Sequence, residues 1–417
     1  MTTRLQPRAW QSGACAFGFT LASILASGSS SAIASPTSAT ARSTDVVGGP
    51  LLASPGVVVR PLAGATKLPT IDAESWILVD ITTGDVLAAK GAHRIARPAS
   101  ALKTLTAITL LPLLDKNAVR TVTDPEARAD GGHVGLVVGG EYTIWDLWHA
   151  LLLPSANDAA AALADAFGGM SATVTAMQKT ADNMQARDTT VKNASGLDAD
   201  GQLSSAYDLA LMARAAMALP DFRAITSRIS YDFPGLMPKA GHTRSTYKIY
   251  SQNRLLLHGF PGTVGGKTGF TTLAHRTFWG AVKRGGHTLV VALLQIHQPT
   301  LSASSQLLTW GFANRTKIKP IGHLVDPLST AEASEAPSPS DSNATEQQMA
   351  SGSLAAGNSS ADAAPVLPFA LVTSVIGGAI WIYLRRRHRA ASSGYGAGRA
   401  PGAGRQRRDP NAPRDFW

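Results

Sequence analysis

The sequence predicts an α+β domain in which one antiparallel sheet is assembled from both ends of the domain, around a central block of helices. Three observations predict it. Apolar runs separated by turn residues open and close the stretch from residue 70 to residue 319, and helical spacing fills the stretch between them. Strands from both ends that enclose a run of helices are typical of an α+β domain.

Each end of this stretch contains a β-hairpin. Residues 76–80 and 86–89 are apolar runs on either side of a Thr-Gly-Asp turn. Residues 277–282 and 287–294 flank an Arg-Gly-Gly turn. Short apolar runs joined by tight turns that contain glycine predict antiparallel strand pairs.

The central block, from about residue 100 to residue 226, is predicted to be helical. Apolar residues recur at helical spacing after Thr143, a candidate N-cap, and residues 159–167 are rich in alanine. Ser205 and Asp208 match a capping box that opens a helix running through Met217.

The sequences at both ends of the chain are typical of targeting segments. Residues 1–34 combine Arg4 and Arg8, an apolar run and an Ala-Ile-Ala cleavage site, so they predict a secretory signal peptide. Residues 365–385 are predicted to be a transmembrane helix, because residues 366–384 carry no charge and would rise about 28 Å, enough to cross the hydrocarbon core.

By the positive-inside rule, the arginines that follow this span stay in the cytoplasm. The domain at residues 70–319 is therefore predicted to lie outside the cell membrane, held by a single pass. Residues 35–69 are predicted to be a loose N-terminal segment. Residues 320–364, rich in Ser, Ala, Pro and acids, are predicted to be a linker, and residues 386–417 an Arg- and Gly-rich cytoplasmic tail.

Composition excludes several classes of function. The formal net charge is +10, but residues 321–384 contain no Lys or Arg, and nine arginines follow residue 384. The charge is therefore not that of one basic domain, and no nucleic-acid partner is predicted. Cys15 is the only cysteine and the histidines show no paired spacing, so no metal site and no cofactor are predicted.

Three short motifs carry the predicted chemistry. In the first, Ser100 and Lys103 are three residues apart at a predicted helix start, so the amine can reach the hydroxyl. A lysine kept neutral by burial and neighbouring cations is a competent base for a serine nucleophile. The pattern alone is weak, because Ser245 and Lys248 match it too.

The second motif is Ser155 and Asn157, on a loop before the alanine-rich helix. The hydroxyl can relay a proton, and the amide can hold Lys103 and a substrate carbonyl. A helix cap is an equally good interpretation of Ser155 alone, and residues 251–253 repeat the Ser-x-Asn pattern.

The third motif is Lys267, Thr268 and Gly269, predicted on an edge strand that faces a cleft. Lys267 supplies positive potential, Thr268 a hydroxyl for a substrate carboxylate, and Gly269 room for close approach of the backbone. A solvated turn is the alternative.

In this order and spacing, the three motifs resemble the Ser-x-x-Lys, Ser-x-Asn and Lys-Thr-Gly set of the penicillin-interacting serine enzymes. The surrounding residues are similar to those of the low-molecular-mass penicillin-binding proteins, the D-alanyl-D-alanine carboxypeptidases. The resemblance covers roughly residues 70–315 and includes the segments 97–100, 153–160, 193–198, 253–256, 266–271 and 307–312.

The resemblance implies a three-layer α/β/α domain like that of β-lactamases and transpeptidases, with the cleft between an antiparallel sheet and a helical lobe. It implies that Ser100 attacks the penultimate D-Ala of a peptidoglycan stem peptide, that Lys103 takes its proton and that Ser155 protonates the leaving D-Ala. The N–H groups of Ser100 and Phe270 would form an oxyanion hole. β-Lactam antibiotics would acylate the same serine.

Three positions depart from the family pattern. Leu102 precedes Lys103 where threonine is common, and Ala274-His275 stands where Ala-Gly is usual. Many relatives carry a basic residue for the substrate carboxylate where this chain has Pro299-Thr300, which leaves Thr268 and Lys267 as its visible partners.

The alternatives are a D,D-endopeptidase that cuts cross-links, a β-lactamase, and a catalytically silent wall-binding protein. The first would use the same motifs. The second would need a further base for deacylation, and the sequence shows no persuasive glutamate for it.

Overall fold

A computed structural model describes residues 46–328. The predicted signal peptide, transmembrane helix and cytoplasmic tail lie outside these residues, as does most of the predicted linker. From residue 46 to residue 328, no helix has both the length and the apolar character needed to cross a membrane.

The described residues form one large antiparallel sheet, two small two-stranded sheets and a set of helices. The strands are β1 Val57–Pro61, β2 Ala73–Asp80, β3 Asp85–Lys90, β4 Val119–Thr121, β5 Glu141–Thr143, β6 Ser230–Pro234, β7 Thr246–Tyr250, β8 Thr263–Thr271, β9 His275–Arg284, β10 His287–Ile296, β11 Ile318–Lys319 and β12 Gly322–His323. The α-helices are α1 Lys103–Leu110, α2 Asp124–Ala127, α3 Ile144–Leu152, α4 Asn157–Phe167, α5 Met170–Asn183, α6 Ala206–Ala218, α7 Pro220–Thr226, α8 Arg254–Leu257 and α9 Thr300–Asn314. The 3-10 helices are η1 Pro50–Ala53, η2 Ala99–Leu102 and η3 Arg315–Lys317.

The large sheet confirms that strands from both ends of the domain come together. Its order is β11-β1-β3-β2-β10-β9-β8, with β12 paired to β3, and every pairing is antiparallel. The two predicted hairpins are β2–β3 and β9–β10, and they meet where β2 pairs with β10. The strand that carries the Lys-Thr-Gly motif, β8, lies at one edge, as predicted.

The two faces of the sheet pack against different helices, which makes three layers. On one face, Ile77 and Val79 belong to the core shared with α1, α3, α4, α5 and α6. On the other, Trp76 and Leu78 belong to the core shared with α9. Alternate strand residues point to opposite faces, so the almost uninterrupted apolar sequence of β2 serves both cores.

Most helix starts follow from local sequence. Thr143 caps α3 as predicted, accepting the Asp146 N–H, and Asp146 completes a capping box. Ser205 caps α6 by accepting the Asp208 N–H at 3.1 Å. In a capping box the Asp208 carboxylate would accept the N–H of Ser205. Here it accepts hydrogen bonds from Asp188 N and Thr189 Oγ1 instead.

The structure differs from the sequence prediction at both borders of the domain. Residues 46–69 are not loose: they include η1 and β1, and β1 pairs with both β3 and β11. At the other border, β12 extends the fold into the first residues of the predicted linker. The physical reason is pairing between distant segments, which gives both borders a place in the sheet. Two small antiparallel sheets were not predicted: β4–β5 within the central block and β6–β7 directly after it.

Candidate active site

Ser100 lies in η2, directly before α1, at the junction between the helical lobe and the edge of the sheet. Two glycines let other segments approach it. A Cβ on Gly269 would lie 2.7 Å from Ser100 N, and one on Gly196 would lie 2.0 Å from Ala99 O. Because neither position has space for a side chain, β8 and the loop of Gly196 close tightly around the serine.

Lys103 points its amine at Ser100, as the first motif predicts. Lys103 Nζ lies 3.0 Å from Ser100 Oγ, and it donates hydrogen bonds of 2.6 Å each to Asn157 Oδ1 and to the Ser195 carbonyl oxygen. The lysine side chain is fully buried. Buried amines are tolerated when every polar group around them is satisfied.

The Asn157 amide has a fixed orientation. Its Nδ2 donates to Asp130 O at 2.6 Å, so its Oδ1 faces Lys103. Both this oxygen and the Ser195 carbonyl can only accept. A neutral Lys103 amine therefore donates its two hydrogens to these two oxygens, and its lone pair points at the Ser100 hydroxyl.

The surroundings of Lys103 favour that neutral form. Burial, and then the charge of Lys267, lower the pKa of Lys103 well below its usual value of 10.5, while Asp158 opposes the shift. Desolvation and a neighbouring like charge both penalise the ammonium ion. The group is thereby suited to accept a proton.

Ser155 lies on the loop before α4 and does not cap the helix. The N-cap of α4 is Ala156, which has no side-chain cap, and Ser155 has a positive φ of 68°. Its hydroxyl accepts a 2.8 Å hydrogen bond from Lys267 Nζ. The cap interpretation of Ser155 is therefore wrong, and a strained backbone holds the hydroxyl in the cleft.

Lys267 links the edge strand to the helical lobe. Besides contacting Ser155, its amine donates to Thr268 O at 2.7 Å. Burial lowers the pKa of Lys267 to about 7. The alternative of a solvated turn is wrong, because Lys267 lies in the middle of β8 and is 1% exposed.

The rest of the Lys-Thr-Gly strand lines the cleft. Thr268 Oγ1 donates to Gln252 Oε1 at 3.1 Å, and Thr271 Oγ1 donates to Asp198 Oδ1 at 3.0 Å. Phe270 is 43% exposed. Together with Gly269, which lies close to Ser100 N, they place the edge strand β8 beside the serine.

The structure brings together all eight predicted site residues, from Ser100 in η2 to Phe270 in β8, and separates the repeated motifs. Ser245 directly precedes strand β7, and Lys248 lies within it. Residues three apart along a strand point to opposite faces, so this lysine cannot reach that serine as it would on a helix. Lys248 is exposed and pairs with Asp232 at 2.9 Å. Asn253 caps α8 and donates to Gly265 O. The second copies are therefore structural.

Two contributors were not predicted as site residues. The Ser195 carbonyl holds Lys103, and Gln252 holds Thr268. Both lie in segments that the family resemblance includes or adjoins, but a backbone carbonyl has no signature of its own in a sequence. Within residues 46–328, no group of three or more His, Cys, Asp or Glu side chains is placed to hold a metal ion.

Two of the departures from the family pattern have clear structural settings. Leu102 is fully buried in the main core, so it affects packing, as expected. His275 follows the turn after β8 and has a φ of 54°, a left-handed conformation that favours glycine. The usual glycine at this position is therefore replaced by a residue under backbone strain.

Comparisons with known proteins agree with this geometry. A family profile described as D-alanyl-D-alanine carboxypeptidase matches residues 63–297. The chain is 38% identical over 262 residues to D-alanyl-D-alanine carboxypeptidase DacB2 of Mycobacterium tuberculosis, covering 61% of this chain and 87% of that protein. It is 30% identical over 281 residues to DacD of Escherichia coli, covering 64% and 70% respectively.

Solved structures show the same fold. The crystal structure of a D-alanyl-D-alanine carboxypeptidase from M. tuberculosis H37Rv superposes with a TM-score of 0.58 at 37% identity, covering 65% of this chain and all of that one. The crystal structure of the Streptomyces K15 DD-transpeptidase superposes with a TM-score of 0.56 at 26% identity, covering 60% of this chain and all of that one.

Proposed function

The chain belongs to the D-alanyl-D-alanine carboxypeptidase family of serine-type hydrolases, and we propose that it removes the terminal D-Ala from peptidoglycan stem peptides through an acyl-enzyme on Ser100. The observation that carries the proposal is the environment of Lys103. Two acceptors fix its hydrogens, and its third contact is the Ser100 hydroxyl at 3.0 Å. This arrangement makes the serine a nucleophile.

Acylation begins when Ser100 Oγ attacks the carbonyl carbon of the penultimate D-Ala and its proton passes to Lys103 Nζ. The negative charge that develops on the carbonyl oxygen is stabilised by the backbone N–H groups of Ser100 and Phe270. The close approach of Gly269 to Ser100 N supports this role, because it brings the backbone of β8 beside the serine.

Collapse of the tetrahedral intermediate breaks the peptide bond. The leaving nitrogen takes a proton from the Ser155 hydroxyl, which Lys267 replenishes through their 2.8 Å hydrogen bond. Water then attacks the ester on Ser100, and the peptide is released one residue shorter. Before this step, Lys103 gives the proton it took from Ser100 to solvent, and Lys267 recovers a proton from solvent. The neutral Lys103 amine then accepts the proton of the attacking water and returns it to Ser100 Oγ.

β-Lactams are proposed to acylate Ser100 by the same first step. The ring amide takes the place of the D-Ala-D-Ala bond, and the leaving nitrogen stays tethered. No carboxylate among the described residues contacts Ser100, Lys103 or Ser155 through a hydrogen bond. This supports a lasting adduct over the rapid turnover of a β-lactamase.

We also propose that the enzyme acts outside the cell membrane. The support is the sequence alone: a signal peptide at residues 1–34, an uncharged stretch at residues 366–384 and the arginine cluster behind it. Fractionation and protease protection of the full chain test this. Cytoplasmic protection of the catalytic domain would contradict it.

The reaction is tested by incubating the full chain with a purified stem pentapeptide and with a cross-linked dimer of stem peptides. Release of free D-Ala from the pentapeptide is expected. Cleavage of the dimer alone would instead establish a D,D-endopeptidase. Equally poor labelling of wild type and Ser100→Ala by a fluorescent penicillin, with no D-Ala released, would favour a silent wall-binding protein.

A further inference from the structure

Among the described residues of the candidate site, the cation on the Lys-Thr-Gly strand is largely committed to other contacts. The Lys267 amine is buried and already donates to Ser155 and Thr268, and its pKa is lowered to about 7. The residues where many relatives carry a basic side chain are Pro299 and Thr300. A substrate carboxylate is bound more tightly beside a cation that is charged at every physiological pH.

The register of the sheet places an arginine next to the Lys-Thr-Gly strand. Arg276 on β9 pairs with Phe270 on β8, and the next pair of the same parity is Phe278 with Thr268. Residues directly opposite in an antiparallel pair share a face, and diagonal neighbours are about 7–8 Å apart, within reach of a long side chain. Arg276 is therefore a diagonal neighbour of Thr268.

Contacts of the intervening residues fix which face this is. Thr277 Oγ1 donates to Pro98 O and Trp279 Nε1 donates to Thr104 Oγ1, so both face the helical lobe. Phe278 packs in the core on the side of α9. Arg276 therefore lies on the same α9 face of the sheet as Thr268 and opposite to Lys267, so the two cations do not occupy the same space.

Arg276 also lies at the end of the sheet where the missing basic residue would be. On its other side it pairs with Ile296, the last residue of β10, and the chain then turns through Pro299 into α9. Arg276 therefore lies beside the segment that leads into α9, whose residues 297–300 include no lysine or arginine.

The Arg276 side chain is half-buried and uncommitted. Within residues 46–328 it makes no side-chain hydrogen bond and no ion pair, and its direct cross-strand neighbours, Phe270 and Ile296, carry no charge. An arginine keeps its charge at all physiological pH values and can bind a carboxylate through two parallel hydrogen bonds.

We propose that Arg276 binds the C-terminal carboxylate of the stem peptide together with Thr268, and so restricts the enzyme to substrates with a free C-terminus. This inference rests on the proposed function. Lys267 then acts mainly through Ser155, and Arg276 supplies the charge that selects a carboxypeptidase substrate over an internal peptide bond.

The test compares an N-acetylated peptide that ends in D-Ala-D-Ala with the same peptide carrying a C-terminal amide. Wild type is expected to prefer the free acid, and Arg276→Gln to lower kcat/KM for the acid by about 10- to 100-fold while leaving the amide unchanged. Arg276→Lys keeps a point charge, so its kcat/KM for the acid should lie between those of wild type and Arg276→Gln. Lys283→Gln removes one charge from the far end of the same strand and should change neither substrate.

Binding separates a failure of this inference from a failure of the proposed reaction. In the Ser100→Ala background, Kd for the acid peptide should rise by a similar factor with Arg276→Gln, whether or not wild type releases D-Ala. An equal loss for acid and amide, or no loss for either, would overturn the role of Arg276. Absence of D-Ala release with intact acid selectivity in binding would overturn only the reaction.

Discussion

Asn157 accepts a 2.6 Å hydrogen bond from Lys103 Nζ, although 54 residues separate them in the chain. Because the other end of the Asn157 amide is held by Asp130 O, the asparagine fixes which face of the lysine amine points at Ser100. In the proposed mechanism, this relationship directs the lone pair of Lys103 at Ser100, so that the lysine acts as its base.

Lys103→Arg is expected to lower the rate of acylation by penicillin by about 10²- to 10⁴-fold, because a guanidinium cannot give up its proton. Lys248→Arg in the repeated motif on β7 is the matched control and should keep the wild-type rate. Stopped-flow acylation measures both. A Lys103→Arg variant that folds and acylates normally would exclude the lysine as base.

The same amine predicts the pH dependence of wild type. Burial and the charge of Lys267 lower the pKa of Lys103, and only the neutral amine accepts a proton. The acylation rate should therefore fall as pH drops through this lowered pKa. It should also fall as pH rises above about 7, because Lys267, whose pKa is about 7, then loses the proton that it passes to Ser155.

Gly269→Ala is expected to disable the site by displacing β8. The new Cβ would lie 2.4 Å from Thr277 Oγ1 and 2.7 Å from Ser100 N. The acylation rate should fall by more than about tenfold, which corresponds to a rise of about 1.4 kcal/mol in the activation free energy. Gly56→Ala, whose Cβ would meet nothing closer than 3.8 Å, is the control. Equal acylation rates for the two variants would show that the contact at Ser100 is not required.

His275→Gly is expected to stabilise the protein by about 1 kcal/mol, because glycine adopts the left-handed conformation at φ 54° without the steric cost of a Cβ. For a domain of this size that corresponds to an increase in Tm of about 2–4 °C. His275→Ala keeps the Cβ and should show no gain. If the alanine variant gained as much as glycine, backbone strain would not be the cause.

Asp208 should make stability depend on pH. Burial, and then the charge of Asp188, raise the pKa of Asp208 to about 7. A carboxyl group with a raised pKa in the folded state keeps its proton there, so its contribution is present at low pH and is lost as pH rises toward 7.

Asp208→Asn mimics the protonated form and removes this loss. Between pH 5 and pH 8, the free energy of unfolding of wild type should fall by about 2 kcal/mol more than that of the variant. Urea unfolding at the two pH values measures it, with Asp200→Asn, an exposed position, as control. Parallel pH dependence of wild type and Asp208→Asn would contradict the assignment.

Much of the fold was predictable because its signals are local. The β2–β3 and β9–β10 hairpins each have a glycine-containing turn between apolar runs. Thr143 and Ser205, as N-cap residues, indicate where α3 and α6 begin. The eight site residues were predictable because their spacing matches a known set of motifs.

The rest depends on pairing between distant segments. β1 is ordered by β3 and β11, the latter more than 250 residues away, and nothing in the short run 57–61 indicates those partners. The Ser195 carbonyl is a backbone group that any residue could supply. The position of Arg276 beside Thr268 follows only from the register of the β8–β9 hairpin.

The most direct test of the central claim is mass spectrometry of the full chain after incubation with penicillin and proteolysis. The account predicts one covalent adduct of the mass of the intact drug, on the peptide that contains Ser100, and none in Ser100→Ala. An adduct on Ser155 or Ser245, or an unmodified Ser100 in a protein that still releases D-Ala, would contradict it.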